Sequence, residues 1–442
     1  HGVELKSNTD KYIPAVPGCD LVLTIDAEIQ KLAENAALDA YKTYNSKSAS
    51  VLVMDVNTGG ILAMATSPSF DLNNPPRDNI ALLNEMTKNR LITDVFEPGS
   101  TFKIFTLSAA LDQNKTSLSD RFYDPGYRLV DGQRIKCWKS GGHGSQSLQE
   151  AVNNSCNSVF VDLALRLGVD DFYSYIDNFG FGKATGIDFL AESKGIVMNK
   201  NNVKTVDLAR IGFGQAVAVT PLQLITSACS VVNGGKLMKP HFIKEIRSYD
   251  GQTVYINHPI KTAQVISSST SETVRNILEE TVANGSGKNA GVPGYKIGGK
   301  TGTAQKYENG VIARGKYVSS FIGFAPMDNP QYAVLVIVDE PAGYLYYGSI
   351  VAAPYAGFMF KGIFAYKGIE PQQDLIDEKK EELIEMPALI GLSYSQASAV
   401  LKNLGLQFEV AGSSGKVINQ VPAVGTMVRK KAVTLIRLEN ED

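Results

Sequence analysis

Apolar positions along the chain follow a strand-like rhythm at both ends and a helical one in the middle. Residues 1 to 20, with Pro14, Pro17 and Gly18, form a lead-in. Leu21–Ile25 is a short apolar run that predicts a strand. Asp26 then caps a helix to about Tyr41, with Ile29, Leu32, Ala33, Ala36 and Ala37 at helical spacing. Ser50–Asp55 and Ile61–Thr66 flank Asn57-Thr58-Gly59-Gly60, which predicts a hairpin. Pro98 and Gly99 break the chain before a helix whose Phe102, Phe105, Leu107 and Leu111 predict burial. Tyr123 to Gly144 is polar, rich in Gly and without a long period, and holds the only Trp, Trp138. Ser147–Leu167, Val169–Phe179 and Ser268–Ala283 read as helices. Another starts at Thr220-Pro221, with Pro at its first position. Gly298-Gly299 precedes a strand expected from Lys300, and Tyr317–Phe324 and Tyr332–Val338 follow as strands around a turn at Asp328-Asn329-Pro330. Strands from the two ends are expected to pair in one antiparallel sheet covered by helices, an α+β arrangement. Pro371–Glu385 is polar and charged, a linker by composition. A small βα-type module follows from Met386-Pro387 to Leu438, with a helix at Ser393–Leu404 and turns at Gly405, Gly412 and Gly425.

Composition narrows the classes. A chain of 442 residues predicts two or three domains, and 44% hydrophobic with 20% charged residues fits a large core. A formal net charge of -2 offers no reason to expect a nucleic-acid partner. No run of about 18 apolar residues predicts a membrane span. His1-Gly2 does not read as a natural start and no signal peptide is recognisable, so the chain reads as part of a longer protein whose N-terminus could hold an anchor. Four cysteines, Cys19, Cys137, Cys156 and Cys229, are too few for a disulfide framework.

Three short motifs carry the candidate chemistry. Ser100 and Lys103 stand three residues apart at the start of a buried helix, which puts an amine beside a hydroxyl that is otherwise a poor nucleophile. Alone that spacing is weak: Ser413 and Lys416 repeat it in a Gly-rich loop. Ser155-Cys156-Asn157 adds a second hydroxyl and an amide, and Lys300-Thr301-Gly302-Thr303 adds a second amine on a strand. The order Ser-x-x-Lys, Ser-x-Asn, Lys-Thr-Gly is the signature of penicillin-recognising serine acyltransferases. Taken singly, Asn157 also suits a helix cap and Thr301 an ordinary strand position.

The chain resembles a class B penicillin-binding protein, a D,D-transpeptidase of cell-wall synthesis. The likeness runs over about residues 20 to 366. It includes Leu23-Thr24-Ile25-Asp26 with Gln30, Asp55 with Asn57-Thr58-Gly59, Glu97-Pro98-Gly99-Ser100, and Gly212-Phe213-Gly214-Gln215 with Thr220-Pro221. The tail resembles one PASTA module, a combination most like the sporulation-specific members of the family. The resemblance implies the penicillin-binding/serine β-lactamase-like transpeptidase fold, an antiparallel sheet flanked by helices plus a helical subdomain. It implies four segments: 1–20 as the remnant of an N-terminal linker or pedestal, 21–370 as the transpeptidase domain, 371–385 as linker and 386–442 as PASTA. It also implies peptidoglycan stem peptides ending in D-Ala-D-Ala as substrate, β-lactams as ligands, a separate glycosyltransferase partner, and an extracytoplasmic, membrane-anchored parent.

The roles follow from what acyl transfer needs. Ser100 is the nucleophile and Lys103 its base, provided burial and a second cation lower its pKa. Lys300 supplies that cation and attracts a substrate carboxylate. Ser155 relays a proton, and Asn157 fixes Lys103 and the substrate amide. Backbone N–H groups of Ser100 and Thr303 would form the oxyanion site, Gly302 gives room for close approach, and Thr301 and Thr303 would hold the carboxylate. An extended peptide could pair with the edge of the Lys300 strand.

Cys137, His143 and Cys156 form a second cluster, one of whose members lies inside the Ser-x-Asn motif. Two thiolates and an imidazole suit tetrahedral zinc, and Asp124, just before Pro125-Gly126, offers a fourth ligand. The family resemblance supports the same four residues. Zinc here would be structural, because four protein ligands leave no open position; the chemistry itself needs no cofactor. A Cys137–Cys156 disulfide and two free buried thiols are the alternatives. Cys19 and Cys229 read as lone, Cys229 as core.

Three functions remain open on sequence alone: a D,D-transpeptidase acting through Ser100; a D,D-carboxypeptidase or β-lactamase-type hydrolase on the same fold; and a non-catalytic β-lactam sensor or scaffold. No Glu-containing segment of the β-lactamase kind is apparent between Asn157 and Lys300, and the intact motifs argue against a dead enzyme.

Overall fold

The computed structural model describes residues 15–308, 311–343, 345–373, 375, 383–412, 415–429 and 432–439. They form two compact units. The larger comprises the chain through Gly291, Lys296–Ala342 and Tyr346–Lys367; the smaller comprises Val292–Tyr295, Gly343–Leu345 and the chain from Gly368 on.

The larger unit is built on one five-stranded sheet. Its strands are β1 (Ser48–Asp55), β2 (Ile61–Ser67), β3 (Gly298–Glu308), β4 (Val311–Ala325) and β5 (Tyr332–Asp339). The spatial order is β3-β4-β5-β1-β2, every pair antiparallel, so strands from the two ends of the unit meet in one sheet, although the strand expected at Leu21–Ile25 runs Asp20–Leu23 and pairs with Ile243–Arg247 in a separate sheet. The turn after β1 is set by Asp55 Oδ1, which accepts from Asn57 N at 2.9 Å and Thr58 N at 2.8 Å. Helix α1 (Ala27–Thr43) starts on Asp26, whose carboxylate accepts from Glu28 N and Ile29 N. Gln30 ties α1 to the outer strand β2, its Nε2 donating to Met64 O and its Oε1 accepting from Met64 N.

Alternation along the strands sorts residues between the two faces. Ala333, Leu335 and Ile337 of β5 join the large core under the helical part of the unit, while Val338 packs with Ala49, Ala40 and Val351 on the other face. The large core also takes up helices α2 (Lys103–Asp112), α3 (Asn157–Asn178), α4 (Pro221–Val232) and α5 (Ser268–Ala283); α3 is broken at Gly168 (φ 75°), where the sequence placed the end of one helix and the start of the next. Thr220 and Gln223 form a reciprocal cap on α4, and Cys229 is buried in that helix, as expected. Gly348–Lys367 is long and apolar enough for a membrane span, which the sequence reading did not anticipate. Met359, Phe360, Ile363 and Phe364 are nevertheless in the protein interior, as in a core helix.

Three elements differ from expectation. Ser147–Leu167 is not one helix: Leu148–Asn153 ends, the chain turns through Asn154–Cys156, and α3 starts at Asn157. Tyr123 to Gly144 contains two short hairpin-like pairings, Arg121–Asp124 with Gly144–Ser147 and Tyr127–Val130 with Gln133–Lys136. The third is β3, which begins at Gly298, not Lys300. A Cβ on Gly299 would lie 2.5 Å from Ile322 O, so the glycines sit inside the ladder instead of preceding it.

The smaller unit has its own core of Met386, Leu389, Ala397, Leu401, Leu406, Val417, Val428, Ile436 and Leu438. Val433–Leu438 is its central strand, parallel to Gln407–Ala411 and antiparallel to Val417–Val421. Ser393 caps helix Tyr394–Asn403. Ser413 and most of the expected linker lie outside the described residues.

Candidate active site and metal centre

Ser100 lies in a 3-10 turn, Gly99–Phe102, that feeds directly into α2. Gly99 (φ 53°) is needed there: its own N–H donates to Gly214 O at 3.0 Å, and a Cβ on Gly214 (φ 84°) would lie 2.0 Å from Gly99 O. Ser100 is part-exposed, whereas Lys103 is 1% and Lys300 0% exposed. Two fully desolvated amines in one place are costly unless they have partners or lose their charge.

Both point at Ser155. Lys103 Nζ donates to Ser155 O at 2.7 Å, Ser155 Oγ at 3.2 Å and Asn157 Oδ1 at 2.7 Å. Lys300 Nζ lies 2.9 Å from the same Ser155 Oγ. Residues 52 and 145 positions away from Ser155 thus share one hydroxyl. The hydrogen bonds of Lys103 run to the Ser155–Asn157 turn and not to Ser100 Oγ, so the i, i+3 spacing sets adjacency rather than a direct bond. Ser155 holds a left-handed backbone (φ 51°), an unfavourable state for a residue with a Cβ, and this aims its hydroxyl between the two amines. Asn157 is the first residue of α3 and Cys156 is its cap, so the capping role open to Asn157 in the sequence does not hold.

Burial lowers the Lys103 pKa to about 8, against a smaller opposing pull from the Cys156 and Cys137 thiols. Lys300 is pushed well below the ordinary lysine range by burial and by the neighbouring Lys103. The pair therefore does not carry two charges near neutrality. Such an amine can accept a proton from a nearby hydroxyl.

Strand β3 is an edge of the sheet and runs past the Ser100 turn. A Cβ on Gly302 would lie 2.9 Å from Thr101 Cγ2 and 3.0 Å from Pro98 O, so only glycine allows this approach. Thr303 Oγ1 accepts from Gly348 N at 2.9 Å, and Thr301 Oγ1 is 3.4 Å from Ser286 Oγ. Ser286 and Gly348 carry no motif of their own, and no local signal in the sequence marks them.

Asp124, Cys137, His143 and Cys156 come together beside this turn, their ligand atoms within 4.8 Å of one another. Cys137 Sγ is 4.0 Å from Cys156 Sγ and 3.6 Å from His143 Nδ1; Asp124 Oδ2 is 2.8 Å from His143 Nδ1 and 3.3 Å from Cys156 Sγ. Both cysteines are free, so the Cys137–Cys156 disulfide is not formed. Ser158 Oγ and Gly126 N hold the other carboxylate oxygen at 2.6 and 2.8 Å. A Cβ on Gly142 would lie 2.3 Å from Asp124 O, so this glycine lets the His143 loop close. The thiols share a hydrogen bond that lowers Cys137 to about 4 and, with burial, pushes Cys156 far up. Both can ionise together only if a cation joins them. The donor set, two sulfurs, a nitrogen and an oxygen at these separations, fits tetrahedral zinc.

The family model described as "Penicillin binding protein transpeptidase domain" matches residues 49–363, and the PASTA domain model matches residues 384–436. The chain belongs to the penicillin-binding protein transpeptidase family. Stage V sporulation protein D of Bacillus subtilis (strain 168) is 40% identical over 447 residues, which cover 100% of this chain and 68% of that protein. The probable peptidoglycan D,D-transpeptidase PenA of Neisseria gonorrhoeae is 32% identical over 81% of this chain and 59% of its own length. Penicillin binding protein 3 from Mycobacterium tuberculosis, solved in complex with aztreonam, superposes with a TM-score of 0.75 at 28% identity over 83% of each chain. The penicillin-binding transpeptidase fold expected from the three motifs, with a C-terminal PASTA domain, is thereby shown, as is the class B resemblance.

Proposed function

We propose that this transpeptidase unit joins peptidoglycan stem peptides through an acyl-enzyme on Ser100. The reading rests above all on Ser155 Oγ standing 3.2 Å from Lys103 Nζ and 2.9 Å from Lys300 Nζ at the side of the Ser100 turn. Ser100 Oγ attacks the carbonyl between the two terminal D-Ala residues while neutral Lys103 takes its proton. Backbone N–H groups of Ser100 and Thr303 receive the oxyanion, worth about 3 kcal/mol each at most. Ser155 passes a proton to the departing D-Ala amine. The amine of a second stem peptide then attacks the ester, and Ser100 recovers its proton. Thr301 and Thr303 bind the substrate carboxylate, whose charge restores the ammonium form of Lys300. The donor peptide lies along the open edge of β3.

Asp124, Cys137, His143 and Cys156 would hold zinc, which would neutralise the two thiolates and brace the segment before Ser155. The full-length protein would act outside the cytoplasm on a membrane anchor, with a separate glycosyltransferase making the glycan. The likeness to stage V sporulation protein D supports a role in sporulation, in spore cortex or cell-wall synthesis.

The deciding experiment is intact-protein mass spectrometry after exposure to a labelled penicillin, with peptide mapping and metal analysis of the same sample. A long-lived adduct on Ser100 that Ser100→Ala abolishes is expected, with about one zinc per chain. Rapid turnover of the adduct would favour a hydrolase. No adduct would favour a scaffold, and bonded cysteines without metal would remove the zinc site.

A further inference from the structure

The turn that carries Ser100 is fastened from below by a segment with no part in the chemistry so far described, Gly212–Val219. Phe96 and Val219 exchange backbone hydrogen bonds, N to O at 3.0 Å in both directions. Gly99 N donates to Gly214 O at 3.0 Å, and Thr106 Oγ1 of α2 donates to Gly212 O at 2.8 Å. A second side chain closes the joint: Glu97 Oε1 accepts from Ala216 N at 2.9 Å. Ala216 holds a left-handed backbone (φ 57°), which turns its N–H out of any regular ladder and toward Glu97. The second carboxyl oxygen, Oε2, is buried without a hydrogen-bond partner. Burial raises the Glu97 pKa, opposed by the Ala216 bond and by Arg210. What the Ala216 N–H uses here is an oxygen acceptor, and the second oxygen has no hydrogen-bond partner.

We infer that Glu97 is a positioning residue for acyl transfer: its carboxyl oxygen locks the Gly214–Ala216 loop against the turn that bears Ser100, and thereby fixes the nucleophile. The inference rests on the reading of Ser100 as nucleophile. It predicts that side-chain length and an acceptor matter, and acidity does not. Glutamine keeps both the length and the oxygen. Aspartate keeps the acid but is one methylene short.

The test measures Ser100 acylation by a labelled penicillin, separating the rate at saturation from the half-saturating concentration, alongside thermal midpoints. For Glu97→Ala, the saturated rate is expected to fall about 10- to 100-fold with little change in half-saturation, the scale of a misplaced reactive group. Glu97→Gln is expected within about threefold of the parent and Glu97→Asp to resemble Glu97→Ala. Parent-like acylation by Glu97→Ala overturns the inference. So does an active Glu97→Asp beside an inactive Glu97→Gln, which would make the acid itself matter. Equal losses in Glu97→Ala and Glu97→Gln that follow their melting temperatures would make the role merely structural and also overturn it. A parent protein that is not labelled on Ser100 would instead sink the acyl-enzyme reading, so the two failures are distinguishable.

Discussion

Ser155 carries more of the site than its motif position suggests. Its left-handed backbone, its carbonyl and its hydroxyl are all committed to Lys103 or Lys300. Burial lowers Lys103 to about 8; with Lys103 as the proposed neutral base, acylation by penicillin should climb with pH through that value and level above it. A rate profile flat between pH 6 and 9 would contradict Lys103 as the base. Lys300 is a fully buried lysine, held at a cost to the fold. Its folded pKa is depressed, so the unfolded chain binds the proton more readily, and the fold gains stability as pH rises toward the ordinary lysine value of about 10.4. Lys300→Met should therefore raise the melting temperature by a few degrees near pH 7, less so near pH 10, and cut acylation at least about 100-fold. Calorimetry and adduct kinetics on one preparation check both halves.

At the scale of elements, the site is made by breaks in regular structure. The Leu148–Asn153 helix stops so that Asn154–Cys156 can face α2, and α3 restarts at Asn157. Apolar spacing through Ser147–Leu167 reads as continuous because a break of three residues barely disturbs a helical period. The short pairings between Arg121 and Ser147 were invisible for another reason: strands of four residues with exposed faces leave no alternation to read. They exist to deliver Asp124, Cys137 and His143 to one point. Gly142→Ala puts a Cβ onto the Asp124 backbone in a left-handed position, so it should abolish stoichiometric zinc while leaving the Ser100 adduct detectable. Metal analysis and mass spectrometry of that variant would show it, and full metal retention would argue against the loop's role.

Taken as a whole, the chain separates chemistry from its companion unit. Every residue assigned to acyl transfer or metal lies in the larger unit, and the smaller has an independent core. Ending the chain after Lys367 should leave penicillin acylation of Ser100 within about twofold. In the full chain, Leu401→Ala should cost about 2–5 kcal/mol, enough to unfold a unit this small, seen as loss of a separate calorimetric transition. The sequence alone determined the chemical inventory and most of the frame: three motifs in order, the helix starts at Asp26 and Thr220, the sheet drawn from both ends, and the four candidate metal ligands. Those are local facts, written in spacing and side-chain type. Only the tertiary structure decided that Lys103 and Lys300 meet on one hydroxyl, that Asn157 is a partner of Lys103 and not a cap, that the two thiols stand apart beside a carboxylate, and that Glu97 reaches Ala216. Each of those depends on sheet register, on a left-handed residue or on packing between segments far apart in the chain, and local periodicity holds no record of such distances.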